Sequence, residues 1–376
     1  MNLKTMSLIM LSCFCLNVNA IPPAPCDKPV QNVCCDKPKP GPFAFKYPRD
    51  IGLVCPSNFY VAFDLLVMQA KENGLDYAMT NSSGGQNANT IGTSPLTNGS
   101  VKGYTTDDNG SWDLGGRFDI GYYSNHDFWN LDATWTYFHF TEDKSSSIDG
   151  SGRMLPFWLT PVDFPPAATA IPAGDASAQW KLHYNTLDLS LGIPRHSSRY
   201  FITNPFFGIR AAWIKQSYLA RYGGDQGVNN PDVALASSPE MNAKNDLSAI
   251  GFRAGLNAEW LIGLGFQVFG NIAGSMLYTK FDVDQNVAQF GNGYEVSNDF
   301  TQNIPNLEAA FGLGYRALFN KNKASVVARV AWEFHQWWNV NQLRRFFDEQ
   351  NWSANKPVSR GDLTLNGVSI SLGFDL

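Results

Sequence analysis

The residues best suited to chemistry here are charged side chains recurring at two-residue steps inside otherwise apolar segments. Arg117 and Asp119 interrupt a run of Trp112, Leu114, Phe118, Ile120 and Tyr122. Arg253 and Glu259 interrupt the segment from Ile250 to Trp260, and Glu308 and Arg316 the segment from Leu307 to Phe319. Arg329 and Glu333 lie between Val326 and Phe334, and Arg210 follows Phe207-Gly208-Ile209. If these nine residues face one water-filled space, they line a route for small hydrophilic solutes, and their mixed signs argue against strong selectivity. The alternative is that they neutralise one another and fill that space. Catalysis needs a base beside an acid or nucleophile. Of the five histidines, His126 and His196 fall in turns and His139 shares the parity of Trp135 and Tyr137, while His183 and His335 read as facing inward. His335 shares a face with Glu333, but lumen polarity explains that pair without a reaction. No catalytic residue, enzyme activity or cofactor is expected.

Metal chemistry has two candidate segments. Asp282-Val283-Asp284-Gln285 offers two carboxylates to a calcium ion, or simply a solvated loop. Cys26, Cys34, Cys35 and Cys55 all precede residue 56. No histidine accompanies them and their spacing is not CxxC, so zinc is the weaker reading and disulfides the stronger. Three intramolecular pairings of four cysteines are possible, and the spacing does not choose among them. No metal site is expected.

What positions the charged residues is alternation. In each segment one parity is apolar and the other polar or glycine, the signature of a strand with two unlike faces. The same period runs through 129–137 and the closing Val368, Ile370, Leu372 and Phe374. Ten strands follow, at 58–70, 111–124, 128–141, 178–193, 200–221, 248–261, 265–281, 305–319, 325–338 and 362–376. At 178–193 the apolar parity shifts from Trp180, Leu182 and Tyr184 to Leu187, Leu189 and Leu191, which predicts a bulge near Asn185.

Three features separate a membrane barrel from a soluble sandwich. Aromatic residues cap the apolar faces (Trp112 and Tyr122, Trp129 and Tyr137, Trp260, Tyr278, Tyr315, Trp332), as interfacial girdles do. Most of the runs exceed the roughly 5–6 residues of an ordinary strand. The connections also sort by length: 71–110, 142–177, 222–247, 282–304 and 339–361 are long, and those between them are tight. This predicts an all-β fold, a transmembrane antiparallel up-and-down β-barrel of about ten strands (ten to twelve), with short periplasmic turns and long extracellular loops.

Composition agrees. Of 376 residues, 16% are charged, against about 25% in soluble proteins, because a lipid-facing parity carries none. A net charge of −5 without a clustered basic face excludes nucleic acid as a partner. Lys4, the apolar Met6 to Leu16 and Val18-Asn19-Ala20 form a signal peptide, residues 1–20. A buried helix or a lipidated Cys13 or Cys15 fits these residues less well. Residues 21–57 read as a Cys/Pro-rich periplasmic extension and 58–376 as the barrel.

Phe63-Asp64-Leu65-Leu66-Val67-Met68-Gln69-Ala70-Lys71-Glu72-Asn73-Gly74-Leu75-Asp76-Tyr77-Ala78 resembles the N-terminal strand motif of the pore-forming major outer-membrane proteins of Legionella and of chlamydiae that live in amoebae. Tyr184-Asn185-Thr186-Leu187-Asp188-Leu189, Asn204 to Ala212 and the ending Gly367-Val368-Ser369-Ile370-Ser371-Leu372-Gly373-Phe374 are similar to further family segments. The resemblance covers about 58–376 and implies a porin in the Gram-negative outer membrane. Such barrels commonly end on an aromatic residue, whereas this chain ends Phe374-Asp375-Leu376. It also implies partners: outer-membrane lipid, small hydrophilic solutes, further copies of the chain, and envelope proteins joined through the cysteines. The long loops add host-surface contacts, and a structural or adhesive role with a narrow or closed lumen is the alternative to a pore.

Overall fold

A computed structural model of the chain describes residues 58–81, 100–103, 110–124, 129–147, 153–159, 173–198, 200–223, 239–289, 292–344 and 361–375. Residues 1–57, on which the expected signal peptide, the expected extension and the four cysteines Cys26, Cys34, Cys35 and Cys55 fall, lie outside the described residues. The strands are β1 (Phe59–Glu72), β2 (Ala78–Asn81), β3 (Ser100–Lys102), β4 (Asp113–Tyr123), β5 (Asn130–Ser147), β6 (Arg153–Pro156) and β7 (Asp175–Gly192). They continue with β8 (Arg195–His196), β9 (Phe201–Gly223), β10 (Glu240–Gly263), β11 (Phe266–Gln289), β12 (Asn292–Phe319), β13 (Ala324–Asn341) and β14 (Gly361–Asp375).

Ten of them form one antiparallel ladder in the order β10-β11-β12-β13-β14-β1-β4-β5-β7-β9, and β9 pairs with β10 to close it. Closure pairs the backbone groups between strands, which hydrocarbon requires. Four connections at one end are short. Between β10 and β11 the turn places Gly263, Leu264 and Gly265 at positive φ; a side chain on Gly265 would come within 2.5 Å of the Arg316 carbonyl. Between β12 and β13, Asn320, Lys321 and Asn322 all adopt left-handed φ of 52–64°.

The opposite end departs from expectation in two ways. The connection expected at 282–304 is almost all strand, because β11 and β12 run on until residues 290–291 alone separate them. The loop after β1 and the loop after β5 contribute β2, β3 and β6, which form a separate three-stranded sheet and do not enter the barrel.

The reason for the longer strands is that their two faces exchange character part-way along. On β9 the outward residues are Phe201, Phe207, Ile209 and Trp213, then Lys215, Ser217 and Arg221. Its inward residues begin with Asn204 and Arg210 and end with Ile214, Tyr218 and Tyr222. On β10 the outward set runs from Trp260, Leu256, Phe252 and Ile250 to Ser248, Asp246 and Lys244, while inward Glu259 and Arg253 give way to Leu247, Ala243 and Met241. A bilayer strand takes about 9–11 residues, and β9 to β12 have 23, 24, 24 and 28. Each therefore crosses an apolar medium near the turn end and stands in water near the loop end, where an ordinary apolar core takes over.

This corrects the bulge expected near Asn185. β7 pairs with β5 and β9 in unbroken register from Asp175 to Gly192. The parity shift between Tyr184 and Leu187 is the exchange of faces, with no inserted residue.

The resulting core fills the barrel at the loop end. Leu66, Phe138, Phe140, Trp180, Leu182, Tyr184, Ile214, Phe281 and Trp337 are all fully or almost fully buried. Phe140 meets Trp180 edge-on at 5.2 Å, and Tyr184 meets Trp337 at 5.9 Å. Leu75 and Tyr77, from the loop after β1, cap this layer.

Candidate functional site: a charged vestibule under an apolar seal

Toward the turn end the barrel encloses a cavity of about 250 Å³. All nine sequence-predicted lining residues, Arg117, Asp119, Arg210, Arg253, Glu259, Glu308, Arg316, Arg329 and Glu333, border it. Its wall runs from Tyr60, Asn130 and Asp375 near the strand ends to Tyr184 and His335 in the barrel's middle. Each charge lies on a parity whose neighbours point outward, so alternation alone aims it at the axis.

The charges are paired across the lumen. Arg117 on β4 donates from Nη1 and Nη2 to Glu333 on β13 at 2.9 and 2.7 Å, and from Nη1 to Asp64 on β1 at 3.1 Å. Arg210 on β9 grips Asp188 on β7 at 2.6 and 2.5 Å, and also reaches Glu308 on β12. Arg253 donates to the other Glu308 oxygen at 2.9 Å. His335 joins the two groups, with Nε2 3.2 Å from Glu333 Oε2 and Nδ1 3.5 Å from Glu308 Oε1. One network thus crosses the lumen through β4, β13, β12, β9, β7 and β10. Nearer the turn end Arg329 pairs with Glu259 at 2.7 Å, and Arg316 lies 3.9 Å from Asp375.

Asp64 and Asp188 are network members that the sequence reading left out. Their signal was present: Asp64 sits between Phe63 and Leu65, and Asp188 between Leu187 and Leu189, each a lone carboxylate between outward apolar residues.

The apolar seal closes the vestibule on the loop side. Its loop-borne part is held by Tyr218 Oη donating to the Leu75 carbonyl at 3.0 Å and Tyr222 Oη to the Tyr77 carbonyl at 2.7 Å. Asn245 Nδ2 holds the Val340 carbonyl at 2.8 Å, and Asn341 Nδ2 holds that of Asn73 at 2.9 Å. Glu72 is buried among these residues. Burial raises its carboxyl pKa well above the usual carboxylate range; the nearby Gln216 amide opposes this, and the charge of Asp362 adds to it.

Two further expectations are settled by the fold. His335 points inward beneath Trp337, but His183 points outward, a correction that follows from the missing bulge: it keeps the parity of Leu187 and Leu189. His139 also faces outward, its ring 4.3 Å from that of His183. Asp282 and Asp284 are exposed on the outward face of β11 instead of lying in a loop. Among the described residues, no group of three or more His, Cys, Asp or Glu side chains could hold a metal ion.

A family model described as the Legionella pneumophila major outer membrane protein precursor matches residues 55–376. No curated protein matches the chain. Among solved structures it is similar to the outer membrane protease OmpT of Escherichia coli, with a TM-score of 0.40 and 11% identity over 85% of this chain and 97% of that one. The toluene transporter TodX of Pseudomonas putida gives 0.29 and 8% over 85% and 89%. A FadL homologue of Pseudomonas aeruginosa gives 0.26 and 12% over 84% and 89%. At such scores and identities neither activity nor substrate carries over from these proteins.

Proposed function

Because this chain belongs to the Legionella major outer membrane protein family and is a β-barrel of the Gram-negative outer membrane, we propose that it is a porin for small hydrophilic solutes whose described state is closed. The observation that carries this reading is the vestibule. A small barrel can fill its membrane section with side chains alone, yet this one keeps a cavity of about 250 Å³, bordered by charges of both signs and directed toward the periplasmic turns. Passage requires the extracellular seal to move. Its loop part, Leu75 and Tyr77, is tied to the barrel wall by side-chain hydrogen bonds, while the Tyr77 backbone pairs with Lys102 and Phe157 of the separate loop layer, so cap and loop layer can lift together while the barrel ladder stays intact. Mixed charges favour weak selectivity.

Planar-bilayer recordings on the purified protein test this. Discrete conductance steps are expected, with openings more frequent in a Leu75→Ser, Tyr77→Ser variant that loosens the cap. Silence from both proteins, each shown to be folded, sinks the porin reading.

A second reading rests on the strand-borne part of the seal. Phe140, Trp180, Leu182 and Trp337 are rooted on paired strands and buried in one apolar core. Here the lumen stays shut, and the protein serves as an envelope component with loops that present an adhesive surface. Cys26, Cys34, Cys35 and Cys55, outside the described residues, would join it to neighbours. Identical monomer migration of native membranes with and without reductant would remove that cross-link.

A further inference from the structure

Just beyond the lipid-facing apolar band, three adjacent strands carry basic side chains on their outward faces. His139 on β5 is registered against His183 on β7, and His183 against Lys215 on β9. Lys181 occupies the next outward position of β7, and Lys244 on β10 stands across from Ser217. Three carboxylates face the group: Asp246 on β10, opposite Lys215; Asp284 on β11, opposite Lys244; and Asp143 on β5, one outward position beyond the Thr141 that pairs with Lys181. The environment of His183 reports the balance of these charges. Its pKa is held below the ordinary imidazole value, first by burial and then by His139, Lys215 and Lys181, with Asp246 pulling the other way.

Directly membrane-side of this patch the same strands are apolar and exposed: Tyr137, Leu187, Leu189, Ile209 and Trp213. An acyl-chain surface thus ends, on β7 and β9, at the cations of Lys181 and Lys215. Elsewhere the outward charges are mixed in sign or absent: Lys280 on β11 sits 3.8 Å from Asp299, beside Asp282 and Asp284; Gln336, Asn366 and Gln69 are neutral; and Lys71 on β1 shares its outward face with Asp362 on β14. Basic side chains at a membrane surface attract anionic headgroups, and a lysine is a point-charge ligand for phosphate.

We propose that the outward face of β5, β7 and β9 binds a phosphorylated glycolipid of the outer leaflet. Lys181 and Lys215 hold its phosphates, His183 between them can hydrogen-bond the headgroup, and Leu187, Leu189, Ile209 and Trp213 seat its acyl chains. The site is one-sided, so it would order lipid at one arc of the barrel and leave the acidic arc of β11 and β12 bare.

The test uses full-length barrel folded in neutral detergent and titrated with diphosphoryl lipid A or with the same lipid stripped of phosphate, binding being counted by native mass spectrometry. The wild type should prefer the phosphorylated lipid, and Lys181→Gln, Lys215→Gln should weaken it about tenfold or more. Lys321→Gln, Lys323→Gln, the same charge change in the turn between β12 and β13, should bind like wild type. Equal loss in both double variants would mean diffuse charge attraction and overturn the site. So would unchanged binding in the first variant, or no preference of the wild type for phosphate, an arm that needs no variant to fold.

Discussion

Replacing Arg210 with methionine should unfold the barrel far more readily than losing any surface charge. Arg210 is 2% exposed, and its guanidinium satisfies both oxygens of Asp188, Asn306 Oδ1 at 2.7 Å and one oxygen of Glu308. Removing one partner of a buried ion pair costs about 3–5 kcal/mol, because the charge left behind has neither water nor counter-ion. Here the lower end applies. Glu308 keeps Arg253 at 2.9 Å, and Asp188 keeps a longer approach from Arg253 Nε at 3.8 Å. A loss of about 3 kcal/mol is roughly a hundredfold in the folding equilibrium. The control is Arg221→Met. Arg221 also sits 3.2 Å from a carboxylate, Glu240, but the two side chains are 59% and 45% exposed, so the loss should stay below about 1 kcal/mol. Reversible urea unfolding in phosphatidylcholine vesicles, followed through the 11 tryptophans, measures both. Adding Asp188→Leu to Arg210→Met should cost less than the two single changes summed, since it removes the stranded charge. Equal stability of the Arg210 and Arg221 variants would refute the claim that this network is desolvated and mutually compensating.

Three other outcomes are expected. Glu72→Gln should stabilise the protein as pH rises: a carboxyl whose folded pKa is raised by burial costs nothing below the ordinary carboxylate range and progressively more above it. Urea midpoints of variant and wild type should therefore nearly coincide at pH 4 and separate at pH 8 in the variant's favour; separation only at pH 4 contradicts the assignment. Phe252→Arg, on an outward position 80% exposed within the apolar band, should cost about 2–4 kcal/mol in vesicles, whereas Asn242→Arg, outward on the same strand beyond the exchange of faces, should be nearly neutral. Similar penalties would misplace the membrane boundary. Trp337→Ala, fully buried against Tyr184, should cost about 3–5 kcal/mol in the same titration, and a loss under 1 kcal/mol would mean that the seal is not a packed layer.

Much of the site was legible because alternation is local. Within the band a residue's face follows from its neighbours alone, so Arg253 between Phe252 and Ala254, or Arg329 between Ala328 and Val330, can only point inward. The same reasoning failed where the surroundings changed. Tyr184 and Leu187 are both apolar, but one is buried in a core and the other faces the band, and a period-two reading turned that change of medium into a bulge and aimed His183 the wrong way. The shift in parity was itself the marker of the membrane boundary, and it hid the outer halves of β10, β11 and β12 for the same reason.

What the amino-acid sequence determined by itself was the number of strands, the tight turns and which charges share the interior, since each depends on a few successive residues. Only the tertiary structure decided that Arg117 meets Glu333, 216 residues away, and that Arg210 is gripped from β7 and β12 together. It also decided that Phe140, Trp180 and Trp337 share one buried apolar core above a residual cavity. Partner choice and lumen filling depend on ring closure and on side-chain volumes summed across strands distant in the chain, quantities that no single segment encodes.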